Sequence, residues 1–321
     1  MNLSRTCRRL LSLVAMVSVV PWTAAMAHAQ PAITAAAIAP DGKSVAIGSQ
    51  GGLVLYSFPE LKAQRNLETR LDHIHDLAFS PRGDRLAAVG GFPAEAGRLE
   101  LWSWPEGKLV AAATPHDDVV YCVGWTSDGS RLATAGGDRQ VMIHSADGRP
   151  LQKLAGHSHG VLAVRFLAGD TRLVSAGRDQ SLRLWDAGTG KSLRTFDNHT
   201  GAVAGLAVRP SSPDGAPPAP DWVASIGGDR TLRFWQPTIG RLVRFARLES
   251  EPLAVEWAAD GAKAVVACAD GRLRVVDPDT AELTATILAI AGWAYTVSRT
   301  PESNAFLVAG EKGELRLVRL P

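Results

Sequence analysis

Three stretches of the chain gather residue types that hydrolases use. "TAGGDRQVMIHS" (Thr134–Ser145), "SAGRDQSLRLWD" (Ser175–Asp186) and "SIGGDRTLRFWQ" (Ser225–Gln236) each set a hydroxyl four residues before an aspartate, and His116, His157 and His199 precede them. Serine, histidine and aspartate can supply a nucleophile, its general base and the group that orients the base. That chemistry needs one exposed nucleophile beside oxyanion donors. Here the set recurs at regular spacing, which suits construction better than a single active site, and no catalytic residue is assigned. Metal chemistry has thinner support. "HIHD" (His73–Asp76) and "HSH" (His157–His159) each offer two ligands, and alternate residues of a strand share a face. A transition-metal site needs three or four converging ligands, so neither pair is assigned one. Cys122 and Cys268 lie in apolar runs of different repeats and are expected to be buried free thiols. No C-x-x-C-H is present for covalent haem attachment. No cofactor and no metal are expected.

The elements that must hold these residues repeat. Asp138, Asp179, Asp229 and Asp270 are separated by 41, 50 and 41 residues, and the long step contains the Pro-rich "RPSSPDGAPPAPDW" (Arg209–Trp222). A fixed period of this size marks an internal repeat. Each unit has the same plan. An alternating run such as "VLAVRF" is followed by a polar turn ("SPRGD", "APDGK"), a second apolar run ("RLVSAG"), a tight turn, a third run ("SLRLWD") and a weaker fourth ("KSLRTF"). Alternation with period two, bounded by Gly, Pro, Asp and Ser, predicts short antiparallel strands.

Four strands every 41 residues resemble the WD40 repeat, whose units form the blades of a β-propeller. The resemblance covers residues 30–321 in seven units, beginning near Ile33, Leu71, His116, His157, His199, Leu248 and Ala289. It implies an all-β fold: a seven-bladed β-propeller of four-stranded antiparallel blades. It also implies that His157, Ser175, Asp179 and Trp185 form a buried structural tetrad, as do His199, Ser225, Asp229 and Trp235. The third unit has His116, Thr134 and Asp138, with His144 in place of Trp, while Arg70 and Leu248 stand at the His position of units two and six. The chain ends on "GELRLVRLP", which reads as the third strand of unit seven. A last blade of three strands is therefore expected, with an edge open to a partner strand.

The N-terminus reads differently. Three arginines (Arg5, Arg8, Arg9) precede an apolar run, Leu10–Val20, and then small-residue sites near Ala27 and Ala29. That is the pattern of a secretory signal peptide over residues 1–29. It predicts an exported, periplasmic or secreted protein with no membrane span after cleavage. Without residues 1–29 the 34 Lys and Arg become 31 against 32 acidic residues, so the net charge of +2 becomes −1. This balance lacks the basic excess of a nucleic-acid binder, and no nucleic-acid partner is expected.

If the repeated residues build the blades, function lies where the copies differ. The resemblance places the loop before each inner strand and the turn before each third strand on one face. Candidate partner contacts there are Asp117, Asp118, His159, Arg178, Glu249, Glu251, Trp293 and Tyr295. "GFPAEAG" (Gly91–Gly97) should enlarge that face, and the Pro-rich insertion should lie on the opposite one. The reading is a non-catalytic, monomeric scaffold that binds a protein or peptide through its propeller face. The alternative is a propeller enzyme or sensor holding a small ligand or metal in its central channel.

Overall fold

The computed structural model describes residues 30–210, 221–302 and 304–321. Among them the chain forms six four-stranded antiparallel sheets and one three-stranded sheet, arranged as the blades of a seven-bladed propeller. The inner strands are Ile33–Ile38, Ile74–Phe79, Val120–Trp125, Val161–Phe166, Val203–Val208, Pro252–Trp257 and Ala294–Arg299. Each blade runs outward in chain order, so every connection within a blade is a hairpin.

Burial follows the position of a strand in its blade. The second strands are packed on both faces; Val223–Gly227 and Ala264–Cys268 are buried throughout. Sheets covered on both sides need continuous apolar runs, which explains "VASIG" and "AVVAC". The fourth strands lie outside and are mostly solvated, as in Ala63–Leu67 and Ser192–Phe196, where only the last residue is buried. The turns between first and second strands require a left-handed residue, met by Gly42 (φ 65°) and Gly129 (φ 66°), where a side chain would meet the following carbonyl.

No blade buries both its faces alone, and the ring solves this by stacking neighbours. One apolar cluster runs through blades three, four and five, including Ile143, Leu173, Trp185 and Trp235. The ring closes where Ile33, Val45 and Ile47 of blade one pack on Leu307 and Ala309 of blade seven. There the Ser298 hydroxyl donates to the Ala36 carbonyl at 2.7 Å. The last blade has three strands, ending on Leu315–Arg319. None of the five residues in that final strand is fully buried, whereas the third strand of blade five, Thr231–Gln236, buries five of six. The loop from Gly91 to Gly97 joins the second and third strands of blade two, at the end of the ring that carries the loops before the inner strands. Residues 1–29 and most of the Pro-rich insertion (211–220) lie outside the described residues.

Candidate functional site

The repeated Ser, His and Asp form closed relays. In blade four the Trp185 indole N–H donates to the Ser175 hydroxyl at 2.8 Å. Ser175 lies 2.7 Å from His157 Nε2, and His157 Nδ1 lies 2.9 Å from Asp179. The carboxylate only accepts, so Nδ1 carries the proton and Nε2 accepts from the serine. Asp179 also accepts from the Ser158 backbone N–H and the Ser181 hydroxyl. Blade five repeats this through Trp235, Ser225, His199 and Asp229, at 2.8, 2.8 and 2.9 Å. Burial would raise the Asp229 carboxyl, but hydrogen bonds from Thr231, Thr200 and His199 outweigh it and hold the group at about 2. Burial lowers the His157 and His199 imidazoles against the pull of their aspartates. Ser175 and Ser225 are fully buried, with the lone pair a nucleophile would use already bonded to indole. This geometry holds strands and loops together.

Blade three varies the relay. His116 bonds Asp138 at 2.9 Å and Thr134 at 2.8 Å, and Thr134 bonds His144 Nε2 at 3.0 Å. Burial, followed by the neighbouring His116, pushes the His144 imidazole down to about 4.

Blades two and six show what sequence reading missed. In blade two, Trp102 pairs with Leu86 as Trp185 pairs with Leu173. Two residues on, Ala88 stands where Ser175 stands, and the buried Trp102 Nε1 has no hydrogen-bond partner. The buried Glu100 instead folds toward the loop that lacks histidine, accepting from the Thr69 hydroxyl at 2.7 Å and the Arg70 N–H at 2.9 Å. In blade six, Arg274 is 1% exposed and grips Asp270 through two nitrogens at 3.0 and 2.7 Å. The signal available in the sequence was a charged residue inside an apolar third strand, "LELW" and "LRVV".

The divergent residues gather in two places on the face that carries the inner-strand loops. Arg178 is exposed and reaches from blade four to blade three, where its Nη2 donates to the Tyr121 hydroxyl at 3.0 Å and its guanidinium lies 5.4 Å from the ring centre. Tyr121 meets His75 edge-on at 5.5 Å, and His73 meets Phe92 at 4.4 Å. On blade seven, Trp293 is 47% exposed with Tyr295 5.9 Å away. Asp117 is exposed, while Asp118 is committed to the Ala94 and Val119 N–H groups. His159 contacts its neighbour Ser158. Glu249 lies 3.6 Å from Arg274, and Glu251 is exposed. Arg178 and Trp293 therefore belong to separate aromatic groups.

Between those groups the channel opens as a cavity of about 380 Å³, lined by His75, Asp76, Tyr121, Arg165, Glu256 and Tyr295 among others. Arg165 donates to Cys122 Sγ at 2.7 Å and to the Val164 carbonyl at 2.8 Å. Asp76 and Glu256 further stabilise its charge. Burial pushes the Cys122 thiol up to about 11 despite Arg165, which keeps it a thiol. Cys122 and Cys268 are both free and buried. No group of three or more His, Cys, Asp or Glu among the described residues could hold a metal ion.

This architecture defines a repeat propeller, and sequence comparison places the repeats. Residues 107–145, 148–186 and 190–236 match the family described as WD domain, G-beta repeat. The chain is similar to nuclear distribution protein nudF 1 of Talaromyces marneffei, 33% identical over 149 residues, covering 45% of this chain and 32% of that protein. It is also similar to nuclear distribution protein PAC1 of Arthroderma benhamiae, 31% identical over 193 residues, covering 56% of this chain and 39% of that protein. The B-type cell cycle switch protein ccs52B of Medicago truncatula is 26% identical over 165 residues, half of this chain and 32% of that protein. The chain thus spans about a third of the length of these curated relatives.

The expectation of an exported, periplasmic or secreted protein is corrected by the nudF and PAC1 relatives, which are fungal proteins named for nuclear distribution. Basic residues before a short apolar run record local hydrophobicity only, and that pattern does not by itself fix where a chain goes. Among the described residues no helix is long and apolar enough to cross a membrane.

Proposed function

We propose that this chain is a non-catalytic protein-interaction platform that binds through the propeller face bearing Arg178, Tyr121 and Trp293. One observation carries this reading. The repeated Ser, His and Asp groups are spent on one another inside the blades, while arginine and aromatic side chains stay exposed around the channel mouth. Arginine, tyrosine and tryptophan on a rigid support are the side chains that dominate binding energy at interfaces. Within the channel, Arg165 and Arg299 are matched in number by Asp76 and Glu256, so the cavity holds no unbalanced charge that calls for a small ionic ligand. The test is cross-linking capture of partners by the full chain and by the double variant Arg178→Ala, Trp293→Ala. The double variant should lose the captured proteins at an unchanged melting temperature. Equal capture by both chains would sink the proposal.

A further inference from the structure

Three successive blades each raise one arginine on this face, in the turn between second and third strands: Arg139 in blade three, Arg178 in blade four and Arg230 in blade five. All three are exposed. None of them forms an ion pair with a described residue. The acids beside them in sequence are occupied. Asp138, Asp179 and Asp229 are bound to His116, His157 and His199 and to backbone N–H groups of the adjoining loops. Asp118 is held by Ala94 and Val119. Asp117 and Asp197 are single exposed acids in the loops before the inner strands of blades three and five, and blade six places two, Glu249 and Glu251, in its loop.

The turn position itself argues for use. Arg139 (φ 72°) and Arg230 (φ 56°) occupy a left-handed conformation that blade six fills with Gly271 (φ 72°) and blade one with Gly52 (φ 104°). Glycine is the residue that backbone favours. Arg178 stands where blades three and five have Gly137 and Gly228. Its guanidinium is already fixed by Tyr121, which lowers the entropy lost when its remaining N–H groups bind a carboxylate.

We propose that the partner segment is an acidic stretch of polypeptide, seated across Arg139, Arg178 and Arg230 with Tyr121 and His75 beneath it. This rests on the interaction-platform reading and adds the partner's chemistry. The acids of blade six set the limit of the arc and disfavour a long polyanion such as nucleic acid that would continue around the face.

The probe is a fluorescein-labelled oligoglutamate of about ten residues, followed by anisotropy at low and high salt. It is titrated against the full chain and against the triple variant Arg139→Gly, Arg178→Gly, Arg230→Gly. Glycine suits each of these turns, so the triple variant should keep or raise the melting temperature. It should bind oligoglutamate at least about tenfold more weakly, as expected when a charge-complementary surface is neutralised. Salt should weaken binding to the original chain more than to the variant. Failure of the original chain to bind oligoglutamate, or equal binding by the variant, would overturn the inference. So would a single-stranded DNA of equal charge binding as tightly as the peptide. Should partner capture still depend on Arg178 and Trp293 while oligoglutamate does not bind, the platform stands and the acidic partner falls.

Discussion

Blades four and two bury the same residue at the same register. Trp185 lies opposite Leu173, and Trp102 opposite Leu86. Trp185 gives its indole proton to Ser175 and through it joins His157 and Asp179, whereas Trp102 faces Ala88 and gives its proton to nothing. Blade two compensates at the loop end, where Glu100 takes the Thr69 hydroxyl and the Arg70 N–H. Two neighbouring tasks are therefore separable: fixing the tryptophan inside the blade and fixing the loop that feeds the inner strand. A tetrad does both with one chain of hydrogen bonds, and blade two does only the second. Blade six does without the tryptophan altogether and anchors Asp270 with Arg274.

The comparison can be broken from the stronger side. Ser175→Ala gives blade four the core of blade two and strands both the Trp185 indole N–H and His157 Nε2. Two buried groups left unpaired should cost about 3 kcal/mol, measured by denaturant unfolding. A cost below about 0.5 kcal/mol would mean that the relay does not hold the blade.

Acid should find the weak tetrad next. His144 falls from 6.5 to about 4 on folding because burial opposes its charge. The unfolded chain then binds more protons between those values, so stability is full above pH 6.5 and is lost as pH falls toward 4. The loss approaches about 3 kcal/mol for this group. His144→Gln keeps a neutral donor to Thr134 and should flatten the stability–pH curve across that window. An unchanged slope would place the acid sensitivity elsewhere, with His157 and His199 the next candidates because burial lowers both.

The smallest effect sharpens the comparison from the other side. Ala88→Ser supplies the hydroxyl that Trp102 lacks and should add about 1 kcal/mol, the usual net worth of a buried hydrogen bond. A destabilised variant would show that blade two has closed over the space that Ser175 fills in blade four.

Much of the fold was legible. Period-two runs, turn residues and a 41-residue step gave seven units, their first strands and a three-stranded last blade, because sheet burial imposes alternation that any reader can count. The exchange of tryptophan for His144 was visible by position. Ala88, Glu100 and Arg274 were not. The Gly91–Gly97 insertion shifts the count in blade two, and only strand register shows that Ala88 is the counterpart of Ser175. Arg274 could be read as one more solvated arginine until its burial was seen. On the binding face, the sequence marked Arg178 as a departure from glycine but could not show that it reaches Tyr121, which lies 57 residues away in the neighbouring blade.

By itself, then, the sequence determined the repeat, the strands and the residue types available to each blade, because these depend on local periodicity and turn chemistry. The tertiary structure decided which of those residues are spent inside and which remain free. Closing the ring brings strands from adjacent blades side by side, and that proximity buries Ser175, Glu100 and Arg274 while leaving Arg139, Arg178 and Arg230 in solvent without acidic partners among the described residues.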